Sequence, residues 1–347
     1  MTAYISTQSV ASSLRQSILR MQSELTAGEK EIATGNHADV GLYLGARTGE
    51  STSLQAEVSL LQAISNTNQT ASTRLSTTDA ILAGLQTSAQ DLLNALVEGD
   101  GSTSNANTIQ ETGQSDLRAL IASLNATLNG DYIFAGTNTG NRPIADYYAP
   151  AAANKAAVDA AFLAAFGFPQ TSSSVSTITG ASMQNFLDAE FAPLFQGSAW
   201  PATWSSASSE TLTNDISRHD SASTSVSANN VAFQQLAQAY TMIADLGTQN
   251  LNASAYQAVV NTARTLLTSA ISNLVDVRAN VGLVEANITS ATNQMSLQMN
   301  ILSAQIGNLE NVNTFEVGTR ITNLQTQIET SYSLTAQLQH LSLVEYL

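Results

Sequence analysis

The sequence predicts a mainly α protein whose long N- and C-terminal helices pair as a coiled-coil rod, with a β-hairpin and a small α+β domain inserted between them. Apolar residues recur every seven positions over roughly forty to fifty residues in each half of the chain, which predicts the rod. All five prolines and both tryptophans lie between residues 143 and 204, which predicts the insert.

The first predicted helix carries its apolar residues on one face. At three- and four-residue intervals these are Val10, Leu14, Ile18, Met21, Leu25 and Ile32. This spacing brings side chains onto one side of an α-helix. Gly28 occupies the one weak position in the row.

A heptad pattern begins near residue 54. Its members, seven positions apart, are Leu54, Leu61, Asn68, Leu75, Leu82, Ala89 and Leu96. Asn68 is a polar interruption of the kind that fixes the register of a coiled coil.

The C-terminal third has the most regular heptads. The principal row is Val260, Leu267, Leu274, Val281, Ile288, Met295, Leu302 and Leu309, and the second row is Ala263, Ala270, Val277, Val284 and Ala291. A helix of fifty residues would be ~75 Å long, so it needs a second long helix to cover its apolar stripe. We expect it to pair with the N-terminal half; an ordinary helical bundle without an assembly role is the alternative.

The middle of the chain interrupts this helical pattern. The stretch "GDYIFAGTNTGNRP" at 130–143 predicts a short strand, with Tyr132 and Phe134 on one face and Ile133 and Ala135 on the other, followed by a turn.

Two further elements are predicted after that turn. Residues 153–167 predict a short helix and residues 171–180 a β segment. Trp200 and Trp204 would be the residues to consider for a ligand of this insert, and a buried aromatic core is the alternative that needs no ligand.

The composition favours contacts with other proteins over contacts with nucleic acid. Only 11% of the residues are charged, against roughly 25% in an ordinary soluble domain. A weakly charged polar surface suits packing against identical neighbours, although a secreted protein without an assembly role would share it. The net charge of −15 and the small number of Lys and Arg argue against nucleic acid and anionic membranes.

Targeting and membrane signals are missing from the sequence. The N-terminus has no basic start followed by an apolar run, so we expect no cleaved signal peptide. No run of eighteen apolar residues predicts a membrane-spanning helix. The chain is therefore expected either in the cytoplasm or outside the cell by a route that does not cleave a signal.

The sequence predicts no enzyme, cofactor or metal site. His37, His219 and His340 are scattered without metal-ligand spacing, and the chain has no Cys. "SRHD" at 217–220 has no nucleophile motif beside it and is interpreted as a solvated linker. The glycines of "GLYLGARTG" lack a nucleotide-binding fingerprint and predict a flexible break between helices.

Two motifs resemble one branch of the flagellin superfamily. "GDYIFAGTNTGNRPI" at 130–144 resembles the "YLFAG…P" segment of the hook-filament junction protein family, also called the hook-associated protein three family. The end of the chain, 310–347, resembles that family's tail. The matched terminal residues are Leu341, Ser342, Leu343, Tyr346 and Leu347. The resemblance covers roughly residues 1–140 and 230–347.

The sequence also departs from the family pattern. Residues 33–50 lack the "DDPV" or "DDAAG" stretch that is common after the first helix, and Glu345 replaces the usual Asn before the final Tyr. These departures leave the local contacts of that loop open.

The resemblance implies a flagellin-like fold in three parts. Residues 1–40 and 305–347 would form a terminal coiled-coil inner domain whose ends pack only on assembly. Residues 41–140 and 216–304 would form a helical rod domain with the hairpin near 131–144, and residues 141–215 an outer domain.

The resemblance also implies a function and partners. The protein would be a structural component of the extracellular bacterial flagellum, exported unfolded through the type III channel. It would form a ring of identical subunits that joins the hook to the flagellin filament. Its partners would be itself, a neighbouring hook-associated protein, flagellin and a cytoplasmic export chaperone, without nucleic acid or membrane insertion.

On this interpretation the terminal helices carry the assembly seam. The predicted seam residues are Val10, Leu14, Ile18, Met21 and Leu25, facing Leu324, Ile328, Leu338 and Leu341. Leu14→Asp or Leu338→Asp would then block assembly without unfolding residues 50–300. The Tyr132–Phe134 face of the hairpin would close the top of the rod and contact a neighbouring subunit, or simply cap a helix end.

Two alternatives share this architecture. Flagellin itself would polymerise into the filament, but "YIFAG" and "LSLVEYL" argue against it, as does the missing "DDAAGLAIA"-like loop. A coiled-coil protein secreted by another type III export system would need an apolar helical hairpin for a membrane, which the sequence lacks.

Overall fold

The computed structural model describes residues 7–99 and 101–344, with side chains for residues 9–99 and 101–337. The fold is mainly α, as the heptads predict. In order, the α-helices are α1 (Thr7–Thr34), α2 (Val40–Leu44), α3 (Thr48–Glu98), α4 (Ala106–Leu124), α5 (Ala153–Phe166), α6 (Gly180–Phe186), α7 (Ala199–Thr203), α8 (Val231–Asp245), α9 (Ala253–Glu310) and α10 (Thr314–Val344). Two antiparallel strand pairs lie between them, β1 (Thr127–Leu128) with β2 (Asp131–Tyr132) and β3 (Thr213–Asp215) with β4 (Ser221–Ser223).

The chain divides into two units. The first, here called the terminal unit, consists of Met1–Ala63 and Met295–Leu347. The second, the middle unit, is the continuous stretch Ile64–Gln294.

In the middle unit α3 and α9 run antiparallel, which confirms the predicted pairing of the two heptad helices. The Arg278 guanidinium of α9 donates to Asp79 Oδ1 at 2.8 Å and to Gln86 Oε1 at 2.9 Å on α3. The heptad leucines Leu75, Leu82 and Leu274 are buried. Their burial supplies the apolar contribution that holds the helices together.

Asn68, the polar member of the α3 heptads, is buried in the middle unit. Its Nδ2 donates to the Ile216 carbonyl at 2.9 Å and to Thr292 Oγ1 on α9 at 3.1 Å. The side-chain amide of Asn68 therefore links α3 both to α9 and to Ile216, the residue that follows β3. Because such a bond forms in only one alignment, Asn68 fixes a register, as the sequence predicts.

The region 141–215 shares one continuous apolar core with α4 and α8. Most of its aromatic side chains are buried at 3% exposure or less, namely Tyr147, Phe162, Phe186, Phe191, Phe195, Trp200 and Trp204. Tyr148, Phe166 and Phe168 are partly buried against the same core. The rings of Trp200 and Trp204 stack with centroids 5.6 Å apart, and Trp200 Nε1 donates to Asn229 Oδ1 at 3.1 Å. Both tryptophans are therefore core residues.

The predicted β segment at 171–180 is wrong, whereas the predicted helix at 153–167 is confirmed as α5. Residues Ser173–Thr177 form a 3-10 helix instead. Ser172 Oγ accepts from the Ser174 amide, and Asn252 Nδ2 donates to the Ser176 carbonyl at 2.9 Å. Side chains thus satisfy backbone groups that a strand would have paired with another strand.

The hairpin lies earlier in the chain than the sequence predicts. Its turn is Asn129–Gly130, where both residues have positive φ, and its strands are only β1 and β2. The predicted alternation of faces past Tyr132 is therefore wrong. Ile133, Phe134 and Ala135 are all buried, because the chain leaves the strand and enters the core.

Candidate assembly surface

The two terminal helices, α1 and α10, pack against each other in the terminal unit. Gln22 Nε2 donates to the Tyr332 hydroxyl at 3.0 Å, and Arg320 forms an ion pair with Glu31. Residue numbers rise along α1 as they fall along α10, so the pair is antiparallel.

The structure places the predicted seam residues in three environments. Ile18, Leu324 and Ile328 are buried; Leu14, Met21 and Leu25 are half-buried; Val10 is exposed. The side chains of Leu338 and Leu341 lie outside the described residues. Much of the predicted seam therefore lies within one chain, between α1 and α10.

Gly28 lies at a close approach between these two helices. A Cβ placed there would be 2.9 Å from Ile321 Cγ1 and 3.7 Å from Val317 Cγ1 on α10. Gly28, the one non-apolar position in the predicted helical row, therefore leaves room for the Ile321 side chain to pack against the α1 backbone.

The breaks α1–α2 and α9–α10 lie side by side. The His37 amide donates to the Glu310 carbonyl at 2.9 Å, and the Val312 amide donates to the Gly35 carbonyl at 2.9 Å. We call residues 35–47 and 310–314 together the elbow. Both helical runs are interrupted there, and the two interruptions are hydrogen-bonded to each other.

Two buried carboxylates hold the elbow. Glu31 accepts from the Ala38 amide at 3.2 Å and pairs with Arg320, while its Oε1 lies 3.6 Å from His37 Nδ1. Glu310 accepts from Gln55 Nε2 at 2.7 Å and from the Ser51 hydroxyl. These hydrogen bonds and ion pairs offset the free-energy cost of removing each carboxylate from water.

The stability of the elbow is expected to depend on pH through Glu31. Burial favours the neutral acid, but the Ala38 hydrogen bond and the Arg320 charge outweigh it, so the pKa of Glu31 lies below its ordinary value of 4.5. A lowered folded-state pKa gives stabilisation that is complete above pH 4.5 and is lost as the pH falls through the folded-state value.

Hydrogen exchange of peptides from residues 31–47 measures this effect. Between pH 6 and pH 3, protection in the wild type should decline relative to Glu31→Gln at each pH, because the amide cannot titrate. An identical pH profile for the two proteins would contradict the assignment.

The elbow and the adjoining start of α10 display large apolar side chains to solvent. Leu42 and Phe315 are each 83% exposed, and Tyr43 is also exposed. The ring of Tyr43 stacks on His37 with centroids 3.4 Å apart, and the Leu42 amide donates to Asp39 Oδ1 at 2.9 Å. The predicted flexible break at "GLYLGARTG" is thus a short capped helix with defined contacts.

Further exposed apolar residues occur on the longer helices of the terminal unit. These are Leu19 on α1, Leu60 on α3, and Leu297 and Ile301 on α9. Contiguous groups of large apolar side chains left in water are a feature of surfaces that bind other proteins, and Leu297 and Ile301 lie one turn apart on α9. Heptad counting missed them because they lie off the a and d positions; their only sequence signal is an unexplained Leu or Ile on the polar face.

The predicted hairpin residues have separate environments. Phe134 is fully buried and meets Phe233 edge-on with ring centroids 5.6 Å apart, so it faces the core of its own chain. Tyr132 is half-buried and remains accessible in part.

Metal-binding clusters and membrane-spanning helices are both absent from residues 7–99 and 101–344. Within these ranges no group of three His, Cys, Asp or Glu side chains could hold a metal ion. None of the helices described is both long and apolar enough to cross a membrane.

Comparison with known proteins agrees with this architecture. The family model for the N-terminal helical region of bacterial flagellin matches residues 5–139, and that for the C-terminal helical region matches residues 264–347. A solved structure of a "putative flagellar hook-associated protein" from Vibrio parahaemolyticus has the same fold, with a TM-score of 0.52 and 10% identity over 76% of this chain and 97% of that chain. The comparison with curated proteins gives no match.

Paired terminal helices, long heptad helices and an exposed apolar elbow define a helical structural protein. The two family models together match more than half of the sequence. The chain belongs to the bacterial flagellin family, whose members are structural proteins of the extracellular flagellum and assemble with one another and with other flagellar components.

Proposed function

We propose that this protein is a hook-associated junction protein, which connects the flagellar hook to the flagellin filament. It would form a ring of identical subunits between another hook-associated protein and the first flagellin. Export would occur without a cleaved signal peptide, with a cytoplasmic chaperone holding the C-terminal helix beforehand. The division into inner, rod and outer parts belongs to the same proposal.

One observation carries the proposal over the alternative of a filament subunit. The "YIFAG" segment, which resembles the junction branch, is a core element in the middle unit. The Phe134 carbonyl accepts from the Ala228 amide at 2.8 Å, and the Ala135 carbonyl accepts from the Ser208 amide at 3.0 Å. The motif is therefore a packed feature of the fold, which supports its use as a branch marker.

The terminal unit supports a structural role in assembly. Its helices α1 and α10 use part of their apolar surface on each other, and the elbow and the outer faces of α1, α3 and α9 retain exposed apolar residues. Burying such residues against neighbours contributes roughly 1.5–3 kcal/mol for each fully covered side chain. Membership of the flagellin family gives no support to the alternative of another export system.

Deletion of the gene in its source organism tests the proposal. Electron microscopy should show hooks without filaments. Flagellin monomer should accumulate in the medium, because the filament subunits are exported but have no junction ring on which to assemble. Restoring the gene on a plasmid should restore filaments. Normal filaments would refute the junction role, whereas missing filaments without shed flagellin would indicate a filament subunit.

A further inference from the structure

A short rigid protrusion stands on the elbow, formed by Leu42 and Tyr43. Both side chains are exposed. The ring of Tyr43 is held by stacking on His37, and the Asp39 cap of α2 holds the backbone from which the Leu42 side chain extends. An apolar group that is already fixed loses little conformational entropy on binding. This is the usual property of an anchor residue at a protein interface.

A groove of 620 Å³ lies on the same unit, along α10 from Phe315, directly after the elbow, to Gln327, with Glu24 of α1 also in its lining. Phe315 and Leu324 provide its apolar lining, and Asn323 and Gln327 lie along it. In the single chain Leu42 remains 83% exposed, so the protrusion does not fill this groove.

The charges beside the protrusion and the groove are opposite. Arg47 follows the protrusion and has only an exposed partner, Glu50, at 3.6 Å. The charged residues that line the groove are Glu24, Glu316 and Arg320. Arg320 is paired with Glu31, whereas neither Glu24 nor Glu316 forms an ion pair with any residue in the ranges the structure describes, so the unpaired charges of the groove are acidic. The chain has only 12 Lys and Arg residues and a net charge of −15, so few cationic side chains are available to pair with these acidic residues. An accessible arginine such as Arg47 is one of them.

We propose that Leu42 and Tyr43 of one copy insert into the α1–α10 groove of a second copy, with Arg47 facing Glu24 and Glu316. This inference rests on one part of the proposed function, namely that copies of this chain assemble with one another. The two surfaces are different patches of one chain, so the contact is head-to-tail. Such contacts close into a ring or continue as a helix, depending on the rotation between copies.

Disulfide cross-linking of the full chain tests the contact, because the native sequence has no Cys. Leu42→Cys is mixed with a size-tagged Asn323→Cys variant in ammonium sulfate, which strengthens apolar association. A disulfide between the two variants should form, since it requires Cβ atoms about 4 Å apart. Gln325→Cys, exposed on the same helix but outside the groove, is the matched control and should give little product.

Charge exchange gives a second, independent readout. Arg47→Glu should weaken self-association at least about tenfold, and adding Glu24→Arg with Glu316→Arg should restore it. Leu42→Asp should weaken it similarly, while Leu283→Asp, a 60% exposed leucine of the middle unit, should not.

The outcomes separate this contact from self-assembly in general. Self-association that proceeds without the Leu42–Asn323 disulfide, or without rescue by charge exchange, overturns the contact and leaves the proposed function standing. A chain that stays monomeric under every condition overturns both the contact and a self-assembled ring.

Discussion

Gly136→Ala is expected to destabilise the middle unit by about 2–5 kcal/mol. Gly136 ends the "YIFAG" segment with φ +62, a conformation that costs an L-residue ~1–2 kcal/mol. A Cβ there would also overlap the carbonyl oxygens of Ser208 and Glu210. Both oxygens are held in place, because the Glu210 carbonyl accepts from the Thr137 amide at 3.1 Å and the Ser208 carbonyl accepts from the Ser227 hydroxyl at 2.6 Å. Overpacking of this kind adds about 1–3 kcal/mol.

Two neighbouring glycines separate these causes. Gly130 has φ +94 but open space around its Cβ position, so Gly130→Ala should cost only the backbone strain of ~1–2 kcal/mol. Gly140 has neither a positive φ nor a neighbour within 4 Å, so Gly140→Ala should change stability by less than about 0.5 kcal/mol.

Urea unfolding followed by tryptophan fluorescence measures the series. Both tryptophans are buried in the middle unit, so the signal reports on the unit that contains all three glycines. The expected order of destabilisation is Gly136, then Gly130, then Gly140. Equal effects at Gly136 and Gly130 would show that the carbonyl oxygens move aside and that the close approach is unimportant.

The sequence predicts the long helices because heptads are local patterns. Leu75, Leu82 and Leu274 are buried as expected, and Asn68 bonds across the helix pair. Any partner helix would impose the same spacing, so the pattern identifies the buried face before the partner is known.

The hairpin and the 171–180 segment could not be predicted equally well, because distant residues determine them. Ile133 and Phe134 enter a core completed by Phe233, a hundred residues later. Asn252 satisfies carbonyl groups at 176 and 178 that would otherwise favour a strand. Local alternation of residue types carries no information about such partners.

The candidate site is predicted only in part. The predicted seam residues whose side chains are described lie on α1 and α10, but the sequence pattern does not reveal which apolar residues remain exposed to other proteins. Leu42 lies in the five-residue helix α2 and Phe315 at the very start of α10, and neither position offers a repeating apolar pattern to follow. Their exposure follows from the elbow, which depends on hydrogen bonds between residues about 275 positions apart.

Ile18→Asp is expected to separate the terminal helix pair while the middle unit stays folded. Ile18 is 7% exposed, so the aspartate would lose about 1.5–3 kcal/mol of apolar burial and leave a charge without a partner in an apolar contact. The expected destabilisation of the helix pair is larger than for Leu14→Asp, because Leu14 is only half-buried. Amides of α1 and α10 should lose hydrogen-exchange protection, and the tryptophan-detected unfolding of the middle unit should be unchanged.

Leu19→Asp is the matched control, because its side chain is adjacent in sequence but 59% exposed. Its cost to the helix pair should stay below about 0.5 kcal/mol. If outward-facing apolar residues make the contacts between subunits, cells carrying Leu19→Asp should still lose filaments, although α1 and α10 keep their protection. If Ile18→Asp abolishes filaments and Leu19→Asp does not, filament assembly requires the pairing of α1 with α10 but not the exposed Leu19 side chain. Normal filaments in both variants would show that filament assembly does not depend on the terminal helices.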